Sequence, residues 1–167
     1  YAQDLVRRYM KDMGINKLKK LKENGLTPHY QEQMTSKLLQ KGTTPNPRRH
    51  VYGLLYLARG SRFDLLRVVR EMAPWVDDWR VANDMQLLRC FRYVNQTTNW
   101  MLNNQVNLSE IASWLTVLEG DADWAGCRQT RLSTSGGCTM LLGEEDTRVV
   151  FTALCKGQTI QSMSSTE

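Results

Sequence analysis

Gly120-Asp121-Ala122-Asp123-Trp124-Ala125-Gly126-Cys127, followed by Thr130-Arg131-Leu132-Ser133-Thr134-Ser135-Gly136-Gly137, is the stretch whose reading decides the fold. It sets two carboxylates at the end of an apolar run, then a glycine-rich passage, then further apolar runs. Trp114-Leu115-Thr116-Val117-Leu118-Glu119 reads as a strand, as do Cys138-Thr139-Met140-Leu141-Leu142 and Arg148–Cys155. Gly143-Glu144-Glu145-Asp146 is the expected hairpin turn between the last two. Asp121 then stands where the first strand ends. Asp123, two residues on, shares its face if the backbone stays extended. Gln158–Met163 is a candidate short strand, and Ser164-Ser165-Thr166-Glu167 has the look of a helix start.

Upstream the period is helical. Ala2, Leu5, Val6, Tyr9, Met10 and Met13 recur at three-four spacing, with Gly14 as a stop. Lys17, Lys19, Lys20 and Lys22 interleave with Leu18 and Leu21 in a basic turn or short helix that breaks at Asn24-Gly25. A weak helix is expected near Gln31–Leu39. Thr43-Thr44-Pro45-Asn46-Pro47 reads as a linker. Arg49–Arg59 is a strongly apolar helix. Ser61 with Asp64 suggests an N-terminal capping box for a helix that buries Leu65, Leu66, Val68, Val69 and Met72 and ends near Pro74. A last helix, about Asp78–Tyr93, is expected to turn Val81, Met85, Leu88 and Phe91 inward. The fold class is therefore α+β, with helices first and an antiparallel sheet after.

The 167 residues suffice for one domain or two small ones, and 41% hydrophobic with 23% charged is ordinary for a globular chain. No apolar run approaches a membrane span, and no signal peptide opens the sequence. The lack of an initiator Met fits a piece of a longer protein. Cys90, Cys127, Cys138 and Cys155 form no C-x-x-C pair and lie far from His29 and His50, so free buried thiols are favoured over zinc. The net charge of +5 divides unevenly. Residues 1–100 hold 18 Lys/Arg against 9 Asp/Glu, and residues 101–167 hold 4 against 8. A basic part beside an acidic part suits a phosphate-tracking surface next to a carboxylate metal site, and equally suits a solvated basic face with no ligand.

Five stretches, in order, resemble the Pol polyprotein of copia-type LTR retrotransposons. Tyr1-Ala2 to Gly14 is similar to the helix after the reverse-transcriptase palm, Y-A-x-x-L-L-x-x-F-G-M. Val51-Tyr52-Gly53-Leu54-Leu55-Tyr56-Leu57-Ala58-Arg59 resembles G-S-L-L-Y-L-A-R. Ser61-Arg62-Phe63-Asp64-Leu65 resembles T-R-P-D-I, with Phe63 in place of Pro. Leu88–Val94 resembles L-x-R-x-L-R-Y-L. The Gly120–Gly126 and Thr130–Gly136 runs resemble the ribonuclease H opening, S-D-A-D-W-A-G-D and T-R-R-S-T-S-G, and the chain's end resembles the start of S-S-T-E-A-E.

The resemblance implies a reverse-transcriptase thumb-like segment and linker at 1–48, a helical connection at 49–106, and a truncated ribonuclease H-like domain at 107–167. The parent would carry out reverse transcription and Mg²⁺-dependent hydrolysis of RNA in RNA–DNA hybrids. The family's Tyr-x-Asp-Asp is missing here, so this chain alone is expected to be inactive as a polymerase. By the same resemblance Asp121 and Glu167 are the catalytic metal ligands, with Asp123 a weaker one, and Mg²⁺ the cofactor. Asp123 reads equally as a turn residue, and Glu167 as a charged chain end. Two of an expected four ligands predict no hydrolysis by the chain alone.

Lys17, Lys19, Lys20, Lys22, Arg48 and Arg49 are the candidate phosphate contacts, with Arg59 and Arg62 also flanking helices. Trp75, Trp79, Trp100, Trp114 and Trp124 are core fillers or stacking platforms, with Trp124 the best stacking candidate because it follows the acidic pair. Ser133, Thr134 and Ser135 lack a P-loop lysine and read as the lead-in to a strand. Expected partners are an RNA–DNA hybrid and the rest of the polyprotein, without a membrane, in a cytoplasmic particle or the nucleus. The rival reading is a decayed, non-catalytic remnant that at most binds nucleic acid or another subunit.

Overall fold

The computed structural model describes residues 1–22, 26–29, 36–100, 102–123 and 133–158. Among these residues are four α-helices and a three-stranded antiparallel sheet, in two units, Tyr1–Met101 and Leu102–Glu167. The α+β reading holds. No described helix is long and apolar enough to cross a membrane.

The first unit is helical. Helix α1 (Ala2–Asp12) buries Leu5, Val6 and Tyr9. Helix α2 (Pro47–Gly60) starts with Asn46 in the left-handed region at φ 45°, which Asn tolerates, and with Pro47 at its first position, where a missing N–H costs nothing. Gly53 lets the two helices close up, since a Cβ there would stand 2.7 Å from Leu5 Cδ2. Helix α3 (Leu66–Met72) and helix α4 (Val81–Gln96) complete the unit. Tyr9 stacks on Phe91 of α4 with centroids 4.1 Å apart, and His50 of α2 meets both rings edge-on. Because α1 packs on α2 and α4, residues on either side of position 48 share one core.

Three expectations are corrected. Ser61 is the C-cap of α2, not an N-cap. A 3₁₀ turn, Phe63–Leu65, intervenes before α3, and the Asp64 carboxylate bonds to Arg62 and Tyr93 instead. Helix α4 is rotated from the expected phase. Phe91 is buried as expected, but with Leu87, Cys90, Tyr93 and Val94, while Val81, Met85 and Leu88 are half-buried. Lys17–Lys22 forms neither turn nor helix but an irregular segment. Of the weak helix near Gln31–Leu39, the described part is a 3₁₀ turn, Ser36–Leu39. Asn24-Gly25 lies outside the described residues.

The second unit is a meander of β1 (Leu115–Asp123), β2 (Thr134–Leu142) and β3 (Arg148–Gly157), in spatial order β1-β2-β3. Residues 143–147 make the β2–β3 turn. Thr139 faces Thr152 and Met140 faces Val150, so Phe151 is the extra residue of a bulge in β3. Gln105 pairs with Arg148 on the outer edge of β3, through N–H···O bonds of 2.9 and 2.8 Å. A 3₁₀ segment, Leu108–Ser113, then leads the chain to β1 on the opposite edge. Apolar side chains stay exposed on both sheet faces, Leu115 on one and Leu118 and Leu154 on the other.

Candidate functional site

The described carboxylates of the second unit gather at two ends of the sheet. Asp121 pairs with Gly136, six residues along β1 from the Leu115–Leu142 pair beside the hairpin turn. At about 3.3 Å per residue the two ends are ~20 Å apart. Alternation places Glu119 and Asp121 on one face of β1, with Cys138 and Gly136 beside them on β2.

Asp121 is exposed, and its Oδ1 accepts the Ala122 amide at 2.8 Å. It lines a shallow depression with Leu118, Glu119, Gly120, Gly136, Gly137 and Cys138. The glycines keep that depression open. Gly137 also lies so close to β1 that a Cβ would be 3.1 Å from the Glu119 carbonyl oxygen. A hard carboxylate oxygen in open space suits Mg²⁺ chemically. The side chain of Asp123, and all of Trp124 and Glu167, lie outside the described residues. Glu119 is an acidic neighbour on that face that strand alternation alone would have revealed.

At the other end, Glu110, Glu145 and Asp146 form an acidic group, with oxygens within 4.8 Å of one another, that could hold a metal ion. Glu110 is the buried member and is already engaged. Its Oε1 accepts the Asp146 amide and the Asn107 side chain, each at 2.9 Å, and its Oε2 accepts the Thr147 amide at 3.3 Å. The Asp146 amide in particular holds this carboxyl below its usual range. Its position was not legible from the sequence, because the hairpin amides that hold it lie more than thirty positions away.

The basic residues divide into two kinds. Lys17, Lys19, Lys20 and Lys22 are all exposed around the buried Leu18. Gln96 of α4 pins this segment by bonding both the N–H and the carbonyl of Leu21, the latter at 3.2 Å. Arg48 and Arg49 are exposed but paired, with Asp77 and with Asp12 (3.5 Å) respectively. Arg62 is no surface contact at all. It is 5% exposed and forks onto Asp64 at 3.0 and 2.8 Å, while bonding the Thr97 carbonyl and hydroxyl at 2.8 and 2.7 Å.

Of the tryptophans, Trp79 is buried, Trp75 lies under the Arg80 guanidinium, and Trp100 is exposed against Tyr93. Cys90 is fully buried with its thiol pushed up to about 12 by that burial, so it is no nucleophile. Cys138 and Cys155 form no disulfide among the described residues.

No family model, curated protein or solved structure matches the chain.

Proposed function

We propose that the chain is a segment of a copia-type retrotransposon Pol polyprotein, covering the thumb/connection region and the opening of the ribonuclease H-like domain. The parent protein makes DNA on an RNA template and hydrolyses RNA in the resulting hybrid, in a cytoplasmic particle or the nucleus. The observation that carries this reading is the antiparallel β1-β2-β3 meander with Asp121 near the far end of β1, beside a glycine-bare stretch of β2. A hybrid's phosphate needs that open space to approach a carboxylate-bound cation.

In this reading Asp121 holds Mg²⁺ together with Glu167 and acids from the rest of the parent. The metal would activate a water and stabilise the leaving oxygen. The exposed lysines 17, 19, 20 and 22 contact hybrid phosphates without reading sequence.

Two assays test it. The parent protein should cleave labelled hybrid with Mg²⁺, and Asp121→Asn should abolish cleavage while Glu119→Gln leaves most of it. The 167-residue chain should bind hybrid without cutting it, with affinity that falls steeply in salt. Changing the four lysines to Gln should remove that salt dependence. Full activity of Asp121→Asn, or unchanged binding by the lysine variant, would overturn the corresponding assignment. A parent with no cleavage but intact salt-dependent binding would favour the remnant reading, for which the exposed lysines are the supporting observation.

A further inference from the structure

Three tyrosines project from the helical unit. Tyr1, Tyr52 and Tyr56 are 52%, 49% and 72% exposed. Tyr52 and Tyr56 are four apart on α2 and so share a face. The Tyr1 ring meets Tyr56 edge-on at 5.1 Å, and its hydroxyl donates to the Gly53 carbonyl at 3.4 Å. Tyr1 and Tyr56 thus meet, and Tyr52 stands one turn before Tyr56 on the same face. Packing does not call for this arrangement, because Val51, Leu54, Leu57 and Ala58 supply the buried side of α2. Helix propensity does not call for it either, since Tyr is a poorer helix former than Lys or Glu at a solvated position.

On α2 itself the charges beside the rings are of one sign, while α1 brings Asp4 to the Tyr1 N-terminus and Asp12 to Arg49. Arg49 lies three residues before Tyr52, and Arg59 three after Tyr56, on the same face. The stripe Arg49-Tyr52-Tyr56-Arg59 runs ~15 Å along the helix. No Asp or Glu occurs between Pro47 and Gly60. Arg59 is exposed and has no carboxylate partner among the described residues. Arg49 keeps half of its side chain in solvent while touching Asp12, the relative exposure being 54%.

Exposed aromatic rings flanked by cations match a ligand that offers flat faces and negative charge together. A protein surface rarely does so, and a duplex hides its base faces in the stack. Unpaired nucleotides present both. We propose that this face of α2 is a stacking platform for single-stranded nucleic acid, with bases on Tyr52 and Tyr56 and phosphates on Arg49 and Arg59. The proposal rests on the nucleic-acid reading above and adds to it a second site, for unpaired strand, distinct from the lysine segment.

The test compares a fluorescein-labelled oligo-dT with a labelled RNA–DNA hybrid, by anisotropy on the full chain. The double variant Tyr52→Ala/Tyr56→Ala should weaken oligo-dT binding by about thirtyfold or more, because two stacked bases lose their rings. The Tyr52→Phe/Tyr56→Phe variant should stay near wild type. Hybrid binding should be unmoved by either double variant. Arg59→Gln, which leaves the rings intact, should lower the salt slope for oligo-dT by about 0.7.

Equal oligo-dT affinity for the alanine variant and wild type would overturn the proposal. So would self-association of wild type that the alanine variant loses, which would make the face a contact between copies. Hybrid binding without oligo-dT binding would overturn this site alone. Failure of both ligands to bind at low salt would overturn this site and the lysine assignment together.

Discussion

Arg62 and Asp64 meet in a two-pronged ion pair across the single residue Phe63, Nε to Oδ1 at 3.0 Å and Nη2 to Oδ2 at 2.8 Å. The Tyr93 hydroxyl, from α4, donates to the same Oδ2 at 2.7 Å, and the Arg62 guanidinium lies 5.4 Å from the centre of the Tyr93 ring. The pair thus locks the turn before α3 to the last turns of α4. Two of the stretches that carry the retrotransposon resemblance meet in this one contact.

Asp64→Ala should therefore destabilise the helical unit by about 3 kcal/mol, because it leaves a buried guanidinium without its carboxylate. Tyr93→Phe should cost less, about 1–2 kcal/mol, for one hydrogen bond to a charged group. Urea unfolding followed by far-ultraviolet circular dichroism checks both. Burial pushes the Asp64 carboxyl up, but its bonds to Arg62 and Tyr93 outweigh that and hold it below the ordinary value. Its stabilisation is present above about pH 4 and is lost as pH falls through the lowered value.

His50 gives a loss in the same direction, nearer neutrality. It is buried against Tyr9 and Phe91, with Nε2 3.4 Å from Asp12 Oδ2. Burial lowers its pKa in spite of the Asp12 charge. The unfolded chain therefore takes up the proton at a higher pH than the folded one. Stability should be full above about pH 6.5 and fall as the pH drops below it. His50→Leu should flatten the melting temperature between about pH 7 and pH 5. Asp12→Asn should steepen it, because the carboxylate that favours the charged ring is gone.

Asp84 ties down the segment that composition alone marks as a linker. Its Oδ2 accepts the Thr43 amide at 2.7 Å. Its Oδ1 accepts the Thr44 amide at 3.0 Å and the Trp79 indole N–H at 2.7 Å. Asp84→Ala should release residues 43–47 and expose the Arg48 and Arg49 peptide bonds. Limited trypsin digestion should then cut there several-fold faster than in wild type, while Asp77→Ala, which only frees the exposed Arg48, should change little.

Glu110 and Gly143 make the matching prediction for the sheet unit. A Cβ at Gly143 would collide with Glu110 Oε2 and come within 2.8 Å of Thr147 Cβ. Gly143→Ala should cost about 1–3 kcal/mol of overpacking and disturb the hairpin. Glu110→Gln should speed hydrogen exchange at the Asp146 and Thr147 amides. Wild-type protection there should fade as acid protonates Glu110, below about pH 4.5, because its pKa is lowered in the folded state.

The sequence by itself determined the local elements. Three-four spacing located α1, α2 and α4 to within a few residues. Alternation located all three strands, and the Gly143–Asp146 turn lies where the polar break between apolar runs put it. These are properties of backbone period and of nearest neighbours along the chain. The strand reading also put Asp121 and the hairpin acids at opposite ends of the sheet.

Only the tertiary structure decided that Leu87 and Cys90, rather than Val81, Met85 and Leu88, share the buried face of α4 with Phe91, where that ring meets Tyr9 and His50 from other helices. It decided that Arg62 is an interior residue, that Asp84 fastens the Thr43–Pro47 segment, and that Glu110 reaches the hairpin amides across thirty-six positions to Asp146. Each of these is a partnership between residues far apart in sequence. A charged side chain is buried only where such partners converge to satisfy it, and that convergence exists only once the chain has closed.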